Sequence, residues 1–320
     1  MRLITKPPSP PVERLAENAV NGGDAELFAM SRLIVACRAE GQWGSREDDN
    51  AKIDLVFTMD HPWQSKERLL VLCQAKSGPS YGIALDDHAG FKLLGAAKSA
   101  ARRSTHAICL VWIDRKASRV FWAFLHPDSR PGPQLYGANH EVSPATRYDL
   151  ARCMAARWKG GAAGGRGVVL PEQRGDVATR RALALRSYRS VGTVHSPVLG
   201  PIEFTRVGWR HMFRRSRASR NKNASIVLLP RLRVLLLESP SAVAITATEF
   251  FASGDFTTRQ CEYLLKYEKV TERSANGDLR PVTVHVRVIE EVRYPTAWHS
   301  TTMLTQQVTR RVALKSAYYK

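Results

Sequence analysis

The chain has 320 residues, 44% of them hydrophobic, and carries 48 Lys and Arg against 29 Asp and Glu, a formal net charge of +19 at pH 7. That length and apolar content suffice for two domains with their own cores and exclude a disordered polycation. The charge points to a polyanionic partner such as nucleic acid, bound largely by counterion release. No stretch reaches the length of a spanning helix, and Met1-Arg2-Leu3-Ile4-Thr5-Lys6-Pro7-Pro8 lacks the apolar core of a signal peptide. No membrane association and a cytoplasmic location are therefore expected.

The first expected helix begins at Asp24-Ala25-Glu26-Leu27, with Asp24 as N-cap, apolar residues at Leu27, Met30, Ile34 and Cys37, and Gly41 as a stop signal. Glu26 then sits in its first turn. Two short apolar runs follow, Ile53-Asp54-Leu55-Val56-Phe57 and Leu69-Leu70-Val71-Leu72-Cys73, joined by the polar stretch from His61 to Arg68. They predict an antiparallel strand pair with a loose connection. The second run closes on Gln74-Ala75-Lys76. Side chains alternate along a strand, so Gln74 and Lys76 share a face, and Asp54 on the partner strand can meet them. Asp54 interrupts an otherwise apolar strand, where a lone carboxylate is costly without a partner.

One acid, one amide oxygen and one amine around a point are what phosphodiester hydrolysis needs. A hard cation such as Mg2+ takes oxygen ligands and leaves most of its sphere to water and phosphate. An ammonium group beside it neutralises developing charge. A helical stretch around Phe91-Lys92-Leu93-Leu94 and two apolar strands, His106 to Asp114 and Val120 to Leu125, come next.

This order of helix, hairpin bearing Asp and Gln-x-Lys, helix and two strands resembles the PD-(D/E)xK, or restriction-endonuclease-like, nuclease superfamily over roughly residues 12 to 130, in the variant whose second acid is Gln. The resemblance implies a mixed sheet flanked by helices and a Mg2+ (or Mn2+) site. Asp54, Gln74 and Glu26 would hold the ion and Lys76 would orient the nucleophile. It also implies a setting in bacterial antiphage defence or restriction. Gln carries no negative charge, so weaker ion binding than in an all-acid site is expected.

Cys37, Cys73, Cys109, Cys153 and Cys261 are odd in number, widely spaced and mostly set in apolar runs, which predicts buried thiols in a reducing compartment. Helix-like Ala145 to Arg152 runs toward Trp158, and the glycine cluster from Lys159 to Gly167 reads as a flexible connection. The expected division is a nuclease-like domain over 1–158, a Gly/Arg-rich linker over 159–195 and a basic α+β domain over 196–320.

The second half contains the most basic stretch, Arg206 to Arg220. As one helix it aligns Trp209, Met212, Phe213 and Ser216 and spreads Arg206, Arg210, His211, Arg214, Arg215 and Arg217 over the other faces, an arrangement suited to phosphate contact. A core helix kinked at Pro230 follows. Strand-like runs at Ala242 to Thr246, Tyr263 to Tyr267, Val282 to Ile289 and Val308 to Tyr318 then predict a meander, and so a smaller α+β domain after the α/β one.

The order of the basic helix and a final strand ending Ala313-Leu314-Lys315-Ser316-Ala317-Tyr318 loosely resembles the barnase, EndoU and colicin ribonuclease-like superfamily. That resemblance implies a metal-free site with His211 and Arg210 on the helix and Lys315, Ser316 and Tyr318 on the last strand as candidates for acid, base and phosphate clamp. The sequence as a whole predicts a metal-dependent nuclease, DNA favoured over RNA as partner, with a regulatory protein or a second copy as further partners. The alternatives are a metal-independent ribonuclease or toxin acting through the C-terminal domain, and a non-catalytic nucleic-acid-binding protein. The histidines show no metal-ligand spacing, and no Gly-x-Ser-x-Gly or phosphate-loop motif supports a serine hydrolase or nucleotide hydrolase.

Overall fold

The computed structural model describes residues 12–44, 53–78, 82–84, 88–93, 107–125, 132–157, 167–172, 175–274 and 276–320. Residues 1–8 and the glycine cluster except Gly167 lie outside them. The chain divides into two compact units, residues 1–60 with 67–146 and residues 61–66 with 147–320.

The first unit opens with α1 (Val12–Cys37), followed by β1 (Ala39–Trp43), β2 (Leu55–Asp60), β3 (Arg68–Ser77), β4 (Gly82–Ala84), β5 (His88–Leu93), β6 (Ala107–Asp114), β7 (Arg119–Leu125) and β8 (Gly132–Gly137). A five-stranded sheet has the order β1-β2-β3-β6-β7, and β4-β5-β8 form a separate small sheet. β1, β2 and β3 are antiparallel, whereas β6 runs parallel to β3, which makes the sheet mixed. α1 covers one face. Ala25 and Phe28 lie beside Ile113, Cys37 lies near Cys73, and Met30 and Ile34 reach Gly41. The other face carries the core of Leu72, Ile108, Leu110, Trp112, Phe121, Ala123 and Leu125.

Three expected features differ. The helix starts twelve residues before Asp24, running through Gly22 and Gly23, so Glu26 lies past its middle and not in its first turn. It ends at Cys37, where Arg38 takes a positive φ of 55°, and Gly41 falls inside β1. The run around Phe91, expected as helix, is the strand β5 over its described residues, since a short apolar run fits either structure until its neighbours decide.

The second unit contains α2 (Thr146–Arg157), β9 (Val168–Leu170), α3 (Val177–Val191), β10 (Thr193–Ser196), β11 (Gly200–Glu203), α4 (Arg206–Met212), α5 (Ser219–Leu237), β12 (Ala242–Ser253), β13 (Phe256–Arg273), β14 (Leu279–Pro295), the one-turn α6 (Leu304–Gln307) and β15 (Thr309–Tyr319). The stretch expected as a linker thus carries β9, α3 and β10. Asp176 caps α3 by accepting from the Thr179 N–H at 3.0 Å. A sheet of order β10-β11-β15-β14-β13-β12, with β9 beside β13, packs its inner face on α5. α5 keeps Pro230 in its interior and buries Leu228, Leu229, Leu232, Leu235 and Leu236. The expected long basic helix is shorter: α4 stops at Met212, and Arg214 to Arg217 lie in the turn before α5.

One end of this core is ionic. Asp149 accepts two bonds from Arg259, at 2.5 and 2.9 Å, and a further one from Arg152. Glu290 pairs with Arg310 at 2.7 Å and accepts from the Tyr263 hydroxyl at 3.0 Å. Trp63, from the short segment that belongs to this unit, lies under Arg310 and donates to the Pro197 carbonyl at 3.3 Å. Gly200, at φ 64°, backs the indole, and a Cβ there would come within 2.7 Å of it.

Candidate active site

β2 starts one residue after Asp54, yet the ladder extends past it. The Asp54 N–H donates to the Cys73 carbonyl at 2.9 Å, and Gly44 donates to the Asp54 carbonyl at 3.0 Å. The Asp54 carboxylate takes over where backbone pairing stops, with Oδ2 accepting the Ala75 N–H at 2.6 Å. Lys76 Nζ lies 3.5 Å from the same oxygen and donates to the Ala75 carbonyl at 2.9 Å. Both side chains are mostly buried, 11% exposed for Asp54 and 24% for Lys76. The pair is therefore fixed from several directions.

Gln74 follows Cys73, the last residue of β3 paired with β2, and is 4% exposed. Strand alternation puts it with Leu72 and Lys76, next to Leu110 and Trp112 of β6. α1 lies against the opposite face, that of Cys73 and Ala75, so half-buried Glu26 belongs to a different side of the sheet from Gln74. Sequence reasoning missed Arg115, which follows β6 and donates to Ser77 Oγ at 2.5 Å. It lines a cavity of about 260 Å3 with Asp24, Ala25, Phe28, Ile113 and Ser118. The position after a strand parallel to β3 was its only signal, because ligands favour the carboxyl ends of parallel strands.

Among the described residues, no cluster of three or more His, Cys, Asp or Glu side chains could hold a metal. A divalent ion here would rest on a mixed set, the Asp54 carboxylate and the Gln74 amide oxygen. Both are hard oxygen donors, and Mg2+ binds through one or two carboxylates with water and substrate filling the rest, so the donor chemistry fits.

The second unit holds another group of polar side chains, on the outer face of its sheet. β15 carries a bulge: Leu314 pairs with Val288 and Ser316 with Arg287, leaving Lys315 as the extra residue. The bulge turns Lys315 outward, where its ammonium pairs with Glu262, which also accepts from Arg287 at 2.9 Å. His211 lines the same cleft as Lys315, with Thr205, Gln260 and Arg311, and the cleft holds about 260 Å3. Burial lowers the His211 pKa, and Arg214, Lys315 and Arg217 lower it further, so the imidazole is neutral at pH 7. Tyr318 stacks on His285 at 5.3 Å and lies under the Arg217 guanidinium, while Ser316 is buried. Arg206, Arg210, Arg214 and Arg215 are exposed. Glu262, His285 and Arg287 were missed by sequence reasoning. The alternation of β14, which puts His285 and Arg287 on its wet face, was the signal for two of them.

Comparison with protein-family models, with curated proteins and with solved structures finds no match to this chain.

Proposed function

We propose that the protein is a metal-dependent nuclease of the restriction-endonuclease-like kind, hydrolysing phosphodiester bonds of nucleic acid, DNA before RNA, in antiphage defence or restriction. The observation that supports this is the mostly buried Asp54 and Lys76 pair, 3.5 Å apart, at the end of the β2–β3 ladder of a mixed sheet. Asp54 and Gln74 would hold Mg2+ or Mn2+, which when bound supplies Lewis-acid polarisation of the scissile phosphate. The chain's own residues do the rest. The Ala75 N–H and Lys76 fix the Asp54 carboxylate, and the Lys76 ammonium offsets charge as it develops on the phosphate oxygens. The net charge of +19 and the exposed arginines around α4 supply a sequence-independent grip on the backbone.

A second function is favoured by one specific observation, the shared cleft of His211 and Lys315 beside a strand bulge. A neutral imidazole next to an ammonium group suits metal-free proton transfer in RNA cleavage. Cleavage of labelled DNA and RNA by wild type, Lys76→Ala and His211→Ala, each with Mg2+ or EDTA, separates the two. Activity that needs Mg2+ and is lost in Lys76→Ala supports the first site. RNA cleavage that persists in EDTA and in Lys76→Ala but is lost in His211→Ala assigns the chemistry to the second.

A further inference from the structure

β12 is the outermost strand of the second unit's sheet, and its described surroundings leave it bare. It runs twelve residues, AVAITATEFFAS, with Glu249 as its one charged side chain, and pairs along one edge only, with β13. Its faces are open as well as its edge. Ile245 is 46% exposed, Phe250 42% and Phe251 47%. The core beneath β13 stops short of it, because Cys261, Tyr263 and Leu265 are fully buried while their neighbours Thr248, Ile245 and Val243 are not.

A long, exposed, nearly uncharged edge strand is what soluble proteins avoid, using lysines, prolines or short length to blunt it. None of these devices is present in β12, in a chain that otherwise carries 48 Lys and Arg. The register irregularity between Ile245 and Ala247 adds to this. Without it, Ile245 and Phe250 would point to opposite faces. With it, both fall on the face of Tyr263 and Arg259.

We propose that β12 is a dimerisation edge, pairing antiparallel with β12 of a second copy to make one continuous sheet. The sequence is self-complementary in that arrangement. Pairing about a twofold axis at Thr248, with Thr246 as the bulged extra residue, sets Ile245 opposite Phe250 of the other copy, an aliphatic–aromatic cross-strand pair made twice. The same register sets Glu249 opposite Ala247, so the strand's one charge does not meet its own copy. Twelve residues span about 40 Å, and covering the edge with half of each face over a width of about 20 Å removes about 800 Å2 per copy, the size of a standard interface. A net charge of +19 on each copy opposes the approach at long range, so association strengthens as salt screens it.

Light scattering on the full chain over a range of concentration and salt tests this. The expected mass is twice 35.7 kDa for wild type, falling to 35.7 kDa in Ile245→Lys/Phe250→Lys with an unchanged circular dichroism spectrum. A wild type that stays monomeric at high concentration and high salt overturns the proposal, as does a folded variant that still dimerises. Hydrogen exchange on wild type does not depend on the variant folding. Amides of residues 242–253 should gain protection as concentration rises, and protection that is the same at every concentration would mean that β12 is covered within one chain or not at all.

Discussion

Asp54 Oδ2 accepts the Ala75 N–H at 2.6 Å, so a side chain stands in for the backbone carbonyl that the next rung of the ladder would require. The carboxylate has two separable jobs, holding the end of β3 and presenting charge beside Lys76. Asp54→Asn keeps an acceptor and loses the charge, and is expected to stay within about 1 kcal/mol of wild-type stability while abolishing Mg2+-dependent cleavage. Asp54→Ala leaves a mostly buried N–H without its partner and should cost a further ~1–3 kcal/mol. Urea denaturation alongside a cleavage assay distinguishes the two. A stable, inactive Asn variant is the signature of a functional carboxylate, and full activity in that variant would make Asp54 structural only.

Glu290 makes the second unit sensitive to acid. Burial pushes its carboxyl up, but Arg152, Arg310 and Arg259 outweigh this and hold it at about 2 in place of 4.5. A folded-state pKa below the unfolded one gives stability that is present above about pH 4.5 and is lost as pH falls toward 2. Glu290→Gln should flatten that pH dependence. It should also destabilise the unit at pH 7 by about 3–5 kcal/mol, since it leaves buried guanidinium groups without their countercharge. Thermal denaturation across that pH window measures both effects.

His211 is expected to titrate below 6.5, because burial and then Arg214, Lys315 and Arg217 disfavour its charged form. Lys315→Met should move the midpoint up by removing one of those charges, and Glu262→Gln should move it down by removing the group that opposes them. The ring-proton chemical shifts of His211 followed by NMR report the direction. A midpoint indifferent to both changes would mean that the cleft is wetter and its charges further apart than described. The same depression makes protonation of His211 destabilising, with the loss setting in as pH falls below 6.5.

Gly208 is where α4 touches β15 backbone to backbone. A Cβ there would lie 2.2 Å from the Leu314 carbonyl oxygen and 2.7 Å from the Tyr188 hydroxyl. Gly208→Ala must therefore push α4 off the strand, at a cost of about 1–3 kcal/mol. Because His211 lies one turn further along α4, RNA cleavage by the second site, where it occurs, should fall more than stability does. Gly277→Ala, on a turn with nothing within 4 Å, is the comparison for a glycine whose demand is a positive φ, here 88°.

The β2–β3 pair was legible because two apolar runs flank a polar stretch, and the meander because Val282 to Ile289 alternates cleanly. The start of α1 was not, since Gly22-Gly23 resembles a break and only packing of Ala25, Ala29 and Leu33 on the sheet carries the helix through it. The ionic end of the second core was also missed. Its one sequence signal was Arg259 at the inward position of a strand that continues Cys261, Tyr263, Leu265, a place where a charge needs a buried partner. That partner, Asp149, is 110 residues away. Asp54 and Lys76 were expected to meet and do. Glu26 was expected in the first turn of α1 because a helix start was misjudged, and its place past the helix middle could not be known without α1's true length.

β15 lies between β11 and β14, at the middle of the sheet, although it follows every other strand in the chain. Until residues 309–319 have left the ribosome, β10 and β11 have no sheet to join and Leu314 and Ala317 have not yet closed over α5. The second unit then depends on contacts between distant parts of the chain, which makes its assembly slow and late. A message cut short before Thr309 would yield a first unit whose hairpin can already pair, attached to a half-built sheet without Lys315, Ser316 or Tyr318. Whatever the second unit does is thereby withheld from incomplete chains.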